Sequence, residues 1–168
     1  GNKIEWNDYD SDGKLEEKTI FDINGNRIES NYSYFKYKQI YKYDSNGNYI
    51  ESNTYNSEGV FMDSLIYKYD LNGNKIEFNS YNSNGKLEVK ETTKYDLNGN
   101  KIESNTYDSK GSLSCKETFK YYPNRIITEI YSYDSDDNLC DIKTYEYEYE
   151  FDDKNNWTKK IIKKRRRG

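Results

Sequence analysis

The sequence predicts an all-β fold: tandem β-hairpin repeats forming one long antiparallel meander sheet, single-layer or curved, of about ten to twelve strands. Three observations predict it. Asn-Gly-Asn recurs at 24–26, 46–48, 72–74 and 98–100, at spacings of 22, 26 and 26. A second turn signal, Tyr-(Asn/Asp)-Ser-x-Gly, interleaves at 55–59, 81–85 and 107–111, again 26 apart. The residues between these turns are strand formers: the chain has 20 Tyr, one Pro and no Ala. Such a composition disfavours helix and favours pleated, half-buried strands.

Each repeat has four parts. A short strand such as 75–80 comes first, then the turn Asn82-Ser83-Asn84-Gly85. A longer strand, 86–95, follows, and Asp96-Leu97-Asn98-Gly99 closes the unit. Asn-Gly is a strong hairpin signal because both residues tolerate positive φ. Connections this short join antiparallel neighbours. Tyr9-Asp10-Ser11-Asp12-Gly13 is an early copy of the second turn, and Tyr133-Asp134-Ser135-Asp136-Asp137 a degenerate late one. Three places vary the plan. Asn31-Tyr32-Ser33-Tyr34 carries no Gly, Tyr122-Pro123-Asn124 replaces one Asn-Gly-Asn, and Asn155-Asn156 puts Asn where Gly is expected. The reading is therefore a single array over 1–168 with a repeat of about 26 residues and a basic tail at 163–168. Gly1-Asn2-Lys3-Ile4-Glu5 recurs as Gly99-Asn100-Lys101-Ile102-Glu103, so the given sequence opens inside a repeat.

Side chains alternate between the two faces of a strand. One parity carries Leu87, Val89 and Tyr95; Phe61, Leu65, Tyr67 and Tyr69; Leu113, Cys115, Phe119 and Tyr121. The other carries Glu88, Lys90, Thr92 and Lys94, or Ser114, Lys116, Thr118 and Lys120. Ile4 with Trp6, and Ile76 with Phe78, extend the first set. Tyr145, Tyr147, Tyr149 and Phe151 do so again, against Glu146, Glu148 and Glu150. The sequence thus predicts one aromatic and one salt-like face, with the apolar face supplying most of the stability. Three arrangements would cover that face: coiling of the sheet, face-to-face dimerisation, or a single layer in which Tyr and long Lys/Glu stems cover one another. Cys115 and Cys140 fall on opposite parities, on strands about 9–10 Å apart, so free thiols are expected rather than a disulfide.

Composition narrows the chemistry. Only 33% of residues are hydrophobic and the mean hydropathy is -1.26. No stretch approaches the roughly 20 apolar residues of a membrane span. With no His, the usual general base and metal ligand is missing. Carboxylates recur at repeat spacing, as on a solvated face, and no pair stands out for glycoside hydrolysis. No Gly-rich phosphate loop occurs. Asp8-Tyr9-Asp10-Ser11-Asp12-Gly13 matches the opening of a calcium loop, but Thr19 stands where the bidentate Glu belongs. The expectation is no enzyme, no metal and no cofactor. Seven of the 26 basic residues lie between Lys159 and Arg167, leaving 19 basic against 30 acidic elsewhere. A basic last strand discourages edge-to-edge pairing, and nucleic acid is not the expected partner.

The string Tyr95-Asp96-Leu97-Asn98-Gly99-Asn100-Lys101-Ile102, with its copies at 43–50 and 69–76, resembles the tyrosine–aspartate (YD, or RHS-type) repeats of bacterial surface and toxin proteins. The Tyr-x-x-x-Gly-x-Leu halves are more weakly similar to MORN-type repeats. The YD resemblance implies hairpins joined into a continuous sheet, often wound into a shell. It also implies an extracellular or cell-surface setting and a structural or carrier role, sometimes with carbohydrate binding. This sequence differs in its 26-residue unit and its lack of an appended effector domain. Aromatic rings stack on sugars and other flat apolar surfaces, so the expected binding residues are Trp6, Phe78, Tyr145, Tyr147 and Tyr149, and the expected partner is a protein or a glycan. Homodimerisation through the apolar sheet face and a purely structural spacer role stand beside this reading, with a glycan-active enzyme further off.

Overall fold

The computed structural model describes residues 3–122, 126–151 and 157–167; side chains 122, 126, 148–151, 157–160, 166 and 167 are outside the described set. The turns expected at Pro123-Asn124 and Asn155-Asn156 also lie outside the described residues. Among the described residues every regular element is a strand. They are β1 (Ile4–Tyr9), β2 (Leu15–Phe21), β3 (Arg27–Tyr32), β4 (Tyr37–Tyr43), β5 (Tyr49–Asn56), β6 (Phe61–Tyr69), β7 (Lys75–Tyr81), β8 (Leu87–Tyr95), β9 (Lys101–Tyr107), β10 (Leu113–Tyr122), β11 (Ile126–Tyr133), β12 (Leu139–Phe151) and β13 (Trp157–Arg167). They are hydrogen-bonded in the order of the chain. This is the antiparallel meander that the turn spacing predicts, with thirteen strands. The chain divides into two compact units, 1–90 and 91–168. Neither has a second layer of secondary structure among the described residues.

One turn type explains the regularity. Nine times among the described residues, an Asp or Asn N–H donates to the carbonyl four residues on, and the N–H three residues on donates back to its own carbonyl. At Asp70, for example, Asp70 N donates to Asn74 O (2.9 Å) and Gly73 N to Asp70 O (3.1 Å). This is the three-residue hairpin loop in which a type I turn is followed by one left-handed residue. Gly73 takes that conformation at φ 81°. Asn72 does not: the described non-Gly residues with positive φ are Lys36 and Asp137. Of the Asn-Gly pair, both of which tolerate positive φ, only the Gly position uses it among the described turns. Asp137 fills that position in the degenerate copy, at φ 64°.

The residue opening the turn is fixed by its side chain. The Asp70 Oδ1 atom accepts the N–H groups of Asn72 and Asn74, each at 2.9 Å, and Oδ2 accepts Asn74 Nδ2 at 2.9 Å. All nine openers, Asn56 and Asn82 included, accept the first two bonds. Such local bonds compensate donors that the sheet ladder leaves open. They hold the carboxyls of Asp44 and Asp70 below the usual range, led by the side chains of Asn48 and Asn74.

In the hairpins closed at Gly13, Gly25, Gly47, Gly59, Gly73 and Gly111, one strand carries an extra residue three positions after the turn Gly. In β7, Lys68 pairs Glu77 and Tyr69 pairs Lys75, so Ile76 is the bulge; Glu16, Ile28, Ile50 and Met62 are its counterparts in β2, β3, β5 and β6. A bulge interrupts the alternation of faces, so parity cannot be counted through it. Phe61, expected beside Leu65 and Tyr67, pairs instead with Tyr55, ring centroids 5.9 Å apart. Leu113 pairs Tyr107 while Cys115 pairs Thr106, which separates two residues expected on one face. Cys115 and Cys140 are both free thiols.

No hydrophobic side chain is fully buried among the described residues; the buried ones are Thr19, Ser30, Ser52, Thr54, Ser64 and Asn79. Within one chain, the apolar side chains of the described residues are half-buried or exposed, and the fully buried positions are polar. A single layer offers a side chain only its neighbours in the sheet, and small polar groups fit the centre of that layer best. The Thr19 hydroxyl donates to Glu17 Oε1 (2.7 Å), so the 3.0 Å contact with Ser30 is donated by Ser30. Stability is spread over the backbone ladder and cross-strand pairs worth about 0.2–1 kcal/mol each.

Candidate functional site

The two faces of the sheet are built from one short-strand motif, Ile-Glu-x-Asn, present at 4–7, 28–31, 50–53, 76–79 and 102–105. Its Glu and Asn point to the charged face. Asn31, Asn79 and Asn105 donate to Glu29, Glu77 and Glu103 at 2.9, 2.8 and 2.8 Å; Asn7 and Asn53 do the same to Glu5 and Glu51. Lysines of neighbouring long strands close on the same carboxylates: Lys42 on Glu51 and Lys68 on Glu77 at 2.7 Å, Lys94 on Glu103 at 2.8 Å. Glu77 takes a second lysine, Lys90, at 3.3 Å. The Lys68 ammonium, followed by the Asn79 amide, holds the Glu77 carboxyl down to about 2. These carboxylates are occupied as acceptors in a repeating clasp.

The x residue and its neighbours form the aromatic face. In unit 1, one row of opposed residues runs Trp6, Thr19, Ser30, Gln39, Thr54, Asp63 across β1 to β6. The next runs Tyr41, Ser52, Leu65, Ser80 across β4 to β7. Rings stack along the sheet beside these rows: Tyr41–Tyr49 at 5.9 Å, Tyr49–Tyr67 at 5.1 Å and Tyr67–Phe78 at 5.3 Å between centroids. Tilted ring pairs at these distances add about 0.5–1.5 kcal/mol each beyond area burial. Burial pushes the phenols of Tyr49 and Tyr67 up. Arg27 caps one end of the ladder, 5.7 Å over Tyr41, and Lys75 the other, 5.5 Å over Tyr67 and 5.8 Å over Phe78.

The expected binding residues fall in different settings. Trp6 is 49% exposed on β1. Phe78 ends the ring ladder, half-buried under Lys75. The pair sits on one face of unit 1 but six strand spacings apart, roughly 28 Å, so it forms no single pocket. Tyr145 and Tyr147 share a face of β12 in unit 2, opposite Lys164 and Ile162. The Tyr147 hydroxyl donates to the Ile127 carbonyl at 2.6 Å. Tyr121 and Tyr69 do the same, to Lys101 O at 2.7 Å and Tyr49 O at 2.8 Å. Tyr147 therefore belongs to a series of backbone ties at the repeat spacing. The Tyr149 side chain lies outside the described residues.

Two features were not singled out from the sequence. One is the β3–β4 turn, where Tyr34 and Phe35 are 79% and 68% exposed. They stack edge-on at 5.0 Å, and Tyr32 packs on Tyr37 at 4.6 Å behind them. Burial, then the Tyr41 hydroxyl, pushes the Tyr32 phenol up to about 12. The missing Gly marked this turn as different; two consecutive aromatics in it were the further signal. The other is a depression of about 500 Å³ beside β1–β3, lined by Ile4, Glu5, Trp6, Glu17, Thr19, Phe21 and Arg27. Only the folded register brings these residues together.

For metals, no group of three or more His, Cys, Asp or Glu able to hold an ion occurs among the described residues. Asp10, in the motif that resembles a calcium loop, spends its Oδ1 on the N–H groups of Asp12 and Lys14. No helix among the described residues is long and apolar enough to cross a membrane.

Fold and face together define a class: a single-layer β-hairpin repeat sheet with a clasped charged face and a half-exposed aromatic one. No protein-family model matches the chain, and no curated protein matches it. Among solved structures, a TcdB2-TccC3 protein without its hypervariable C-terminal region is similar in fold, with a TM-score of 0.61 over 96% of this chain at 14% identity. This chain spans only 9% of that one. A porin-like protein from Bacteroides uniformis matches 96% of this chain and 88% of its own at 11% identity, with a TM-score of 0.38, too low to carry an argument. At these identities the likeness is one of fold alone.

Proposed function

We propose that the chain is a non-enzymatic repeat scaffold of a bacterial surface or secreted protein, binding a protein or glycan partner through its aromatic face. The observation that carries this reading is a face of rings left half-exposed by a fold that buries no hydrophobic side chain among its described residues. A ring ladder flanked by cations offers flat apolar surface and hydrogen-bond donors together, which suits sugars and aromatic-rich protein surfaces. The non-enzymatic part is supported by the absence of His and by carboxylates engaged in lysine–asparagine clasps and turn caps. The surface setting is supported by the Tyr-Asp-x-Asn-Gly-Asn strings, and the scaffold role by a fold similar to a small part of a much larger chain.

A second reading, a purely structural spacer, is favoured by the tyrosine hydroxyls tied to backbone carbonyls, which need no partner. Binding to an array of glycans and cell-wall polysaccharides, followed by affinity capture of protein partners, separates the two. Specific hits weakened at least tenfold when Trp6, Phe78 and Tyr145 are together replaced by Ser support the binding scaffold. Blank results in both formats, or hits indifferent to those replacements, transfer the case to the spacer.

A further inference from the structure

One hairpin in the interior of unit 1 breaks the period. Asn-Gly-Asn at 24–26 and 46–48 are 22 residues apart, where the later copies are 26 apart. The register shows where the chain is shortened. Ser30 of β3 pairs Gln39, nine residues on, whereas Ser52 of β5 pairs Leu65, thirteen on. Each arm of the β3–β4 hairpin is thus two residues shorter, about 7 Å at the rise of a strand. The sheet edge steps down beside the β5–β6 hairpin, and each of these four strands has a paired neighbour on both sides.

A depression of about 440 Å³ lies in the corner of that step, within the roughly 300–1,000 Å³ of ligand sites. Its floor is the paired row Gln39, Thr54, Asp63, with the pair Tyr37 and Asn56 in front of it. Gln39 donates to Thr54 at 3.4 Å and accepts from the Tyr41 hydroxyl at 2.8 Å. Phe35 and Lys36 of the short turn form one wall and Met62 of β6 the other, which completes the lining. With β5 between them, the walls stand two strand spacings apart, roughly 10 Å.

The Phe35 ring is 68% exposed, held edge-on by Tyr34 at 5.0 Å and by Tyr37 at 6.1 Å. Three polar groups around it have hydrogen-bonding capacity to spare. Asn56 Oδ1 accepts the N–H groups of Glu58 and Val60 to cap its turn, which leaves its Nδ2 donor. Among the described residues, neither Asp63 nor Lys36 makes an ion pair. Lys36 also sits at φ 53°, a conformation that Gly adopts freely and an L side chain does not. A strained lysine where glycine would be easier points to a use for its ammonium.

We propose that this corner is a saccharide subsite, in which a neutral pyranose ring lays its C–H face on Phe35 and exchanges hydrogen bonds with Lys36, Asn56 and Asp63. The inference rests on the glycan reading of the chain and gives that reading a place. The polar groups select the class. An apolar side chain filling the space would leave an ammonium and a carboxylate desolvated without partners. A ring bearing hydroxyls donates to Asp63 and accepts from Lys36 and Asn56. Neutrality follows from the same pair: the carboxylate opposes an acidic sugar, and the ammonium opposes a sugar with a free amine.

The test is calorimetric titration of the full chain with cellopentaose, laminaripentaose, maltopentaose and chitopentaose, beside Phe35→Ser, Lys36→Gly, Asn56→Asp, Leu71→Ser and Phe78→Ser. Lys36→Gly relieves the positive φ, and Asn56→Asp keeps the cap that Asp44 and Asp70 make. Both therefore remain informative if Phe35→Ser fails to fold. The expected result is binding of at least one pentasaccharide, weakened about tenfold or more by Phe35→Ser and about fivefold by Lys36→Gly and by Asn56→Asp. Lys36→Gly is expected to hold or raise the urea midpoint while it weakens binding, which a merely structural lysine would not do. Leu71→Ser, at an exposed tip on the opposite edge, is expected to leave affinity unchanged. Affinity unchanged in both Lys36→Gly and Asn56→Asp overturns the subsite; if Phe78→Ser abolishes that binding, the aromatic face remains the binding surface. Failure of all four sugars to bind the unaltered chain also overturns the subsite; the array and capture experiments then decide the broader reading.

Discussion

Strands β1 and β7 carry the same motif and put it to different ends. In β7, Glu77 is clasped by Lys68, Lys90 and Asn79, Asn79 is buried, and Phe78 is packed against Tyr67. In β1, Glu5 has Lys18 at 2.8 Å and Asn7 at 3.1 Å, and Trp6 stands half out of the sheet. The frame of Ile, Glu and Asn is constant because it sets the bulge and the clasp. The x residue answers to its surroundings: Ser where neighbours press in from both sides, Phe where a ring ladder ends, Trp on β1, which pairs with β2 alone in this sequence. A repeat of this kind separates what holds the sheet together from what can be varied on it.

The largest effect that would sharpen this contrast is overpacking an interior x position. Ser52 is opposed to Tyr41 and Leu65 and is 2% exposed. Ser52→Trp is expected to cost about 3 kcal/mol of stability, read from urea unfolding. A loss below 1 kcal/mol would mean the interior row is looser than its burial implies. Next is the turn. Gly73→Ala leaves ordinary contacts, with Asn48 Oδ1 3.9 Å from the added carbon, but puts an L side chain at φ 81°. The expected cost is about 1–2 kcal/mol, and the same exchange at Gly47 should match it, since the two turns share one geometry.

A smaller effect, about 1 kcal/mol, is expected for Tyr69→Phe, which removes the bond to the Tyr49 carbonyl and keeps the ring. An unchanged unfolding midpoint would show that the hydroxyl tie is incidental. The clasp is testable by acid. The Glu77 carboxyl is depressed from 4.5 to about 2, first by Lys68. A carboxyl lowered in the folded state adds stability that is fully present above its unfolded value and lost as pH falls towards its folded value. Glu77→Gln is therefore expected to flatten the decline in stability between about pH 4.5 and about pH 2, with a modest loss at neutral pH. An unaltered acid profile would contradict the clasp.

Much of the fold was legible because its signals are local. Asn72-Gly73-Asn74 and its copies announced the turns, and the spacing of 26 announced the meander. Even the Gly-free turn after Tyr32 closes a hairpin, with Lys36 at φ 53°. What was hidden is relational. The bulges at Ile76 or Met62 are visible only in the register, so counting parity put Phe61 and Leu113 on the wrong face. The ties from Tyr69 and Tyr147 run twenty residues back to backbone carbonyls, which no side-chain pattern signals. Of the expected binding residues, Trp6 proved exposed and set in a depression, and Tyr147 proved to be engaged by the backbone. The partners of Trp6 in that depression, Glu17 and Arg27, come from two further strands and could be found only once the strands were paired.

The central claim is that the x position is a packing site wherever strands pair on both sides of it, and that Trp6 of β1, which pairs with β2 alone in this sequence, is not under that pressure. It is tested most directly by measuring the urea unfolding of Trp6→Ser beside that of Ser52→Trp. The account predicts that Trp6→Ser, which restores the residue used at 30 and 52, changes stability by less than about 1 kcal/mol, while Ser52→Trp loses about 3 kcal/mol. Equal losses in the two variants, or a larger loss in Trp6→Ser, would show that the indole is there to hold the sheet and would contradict the claim.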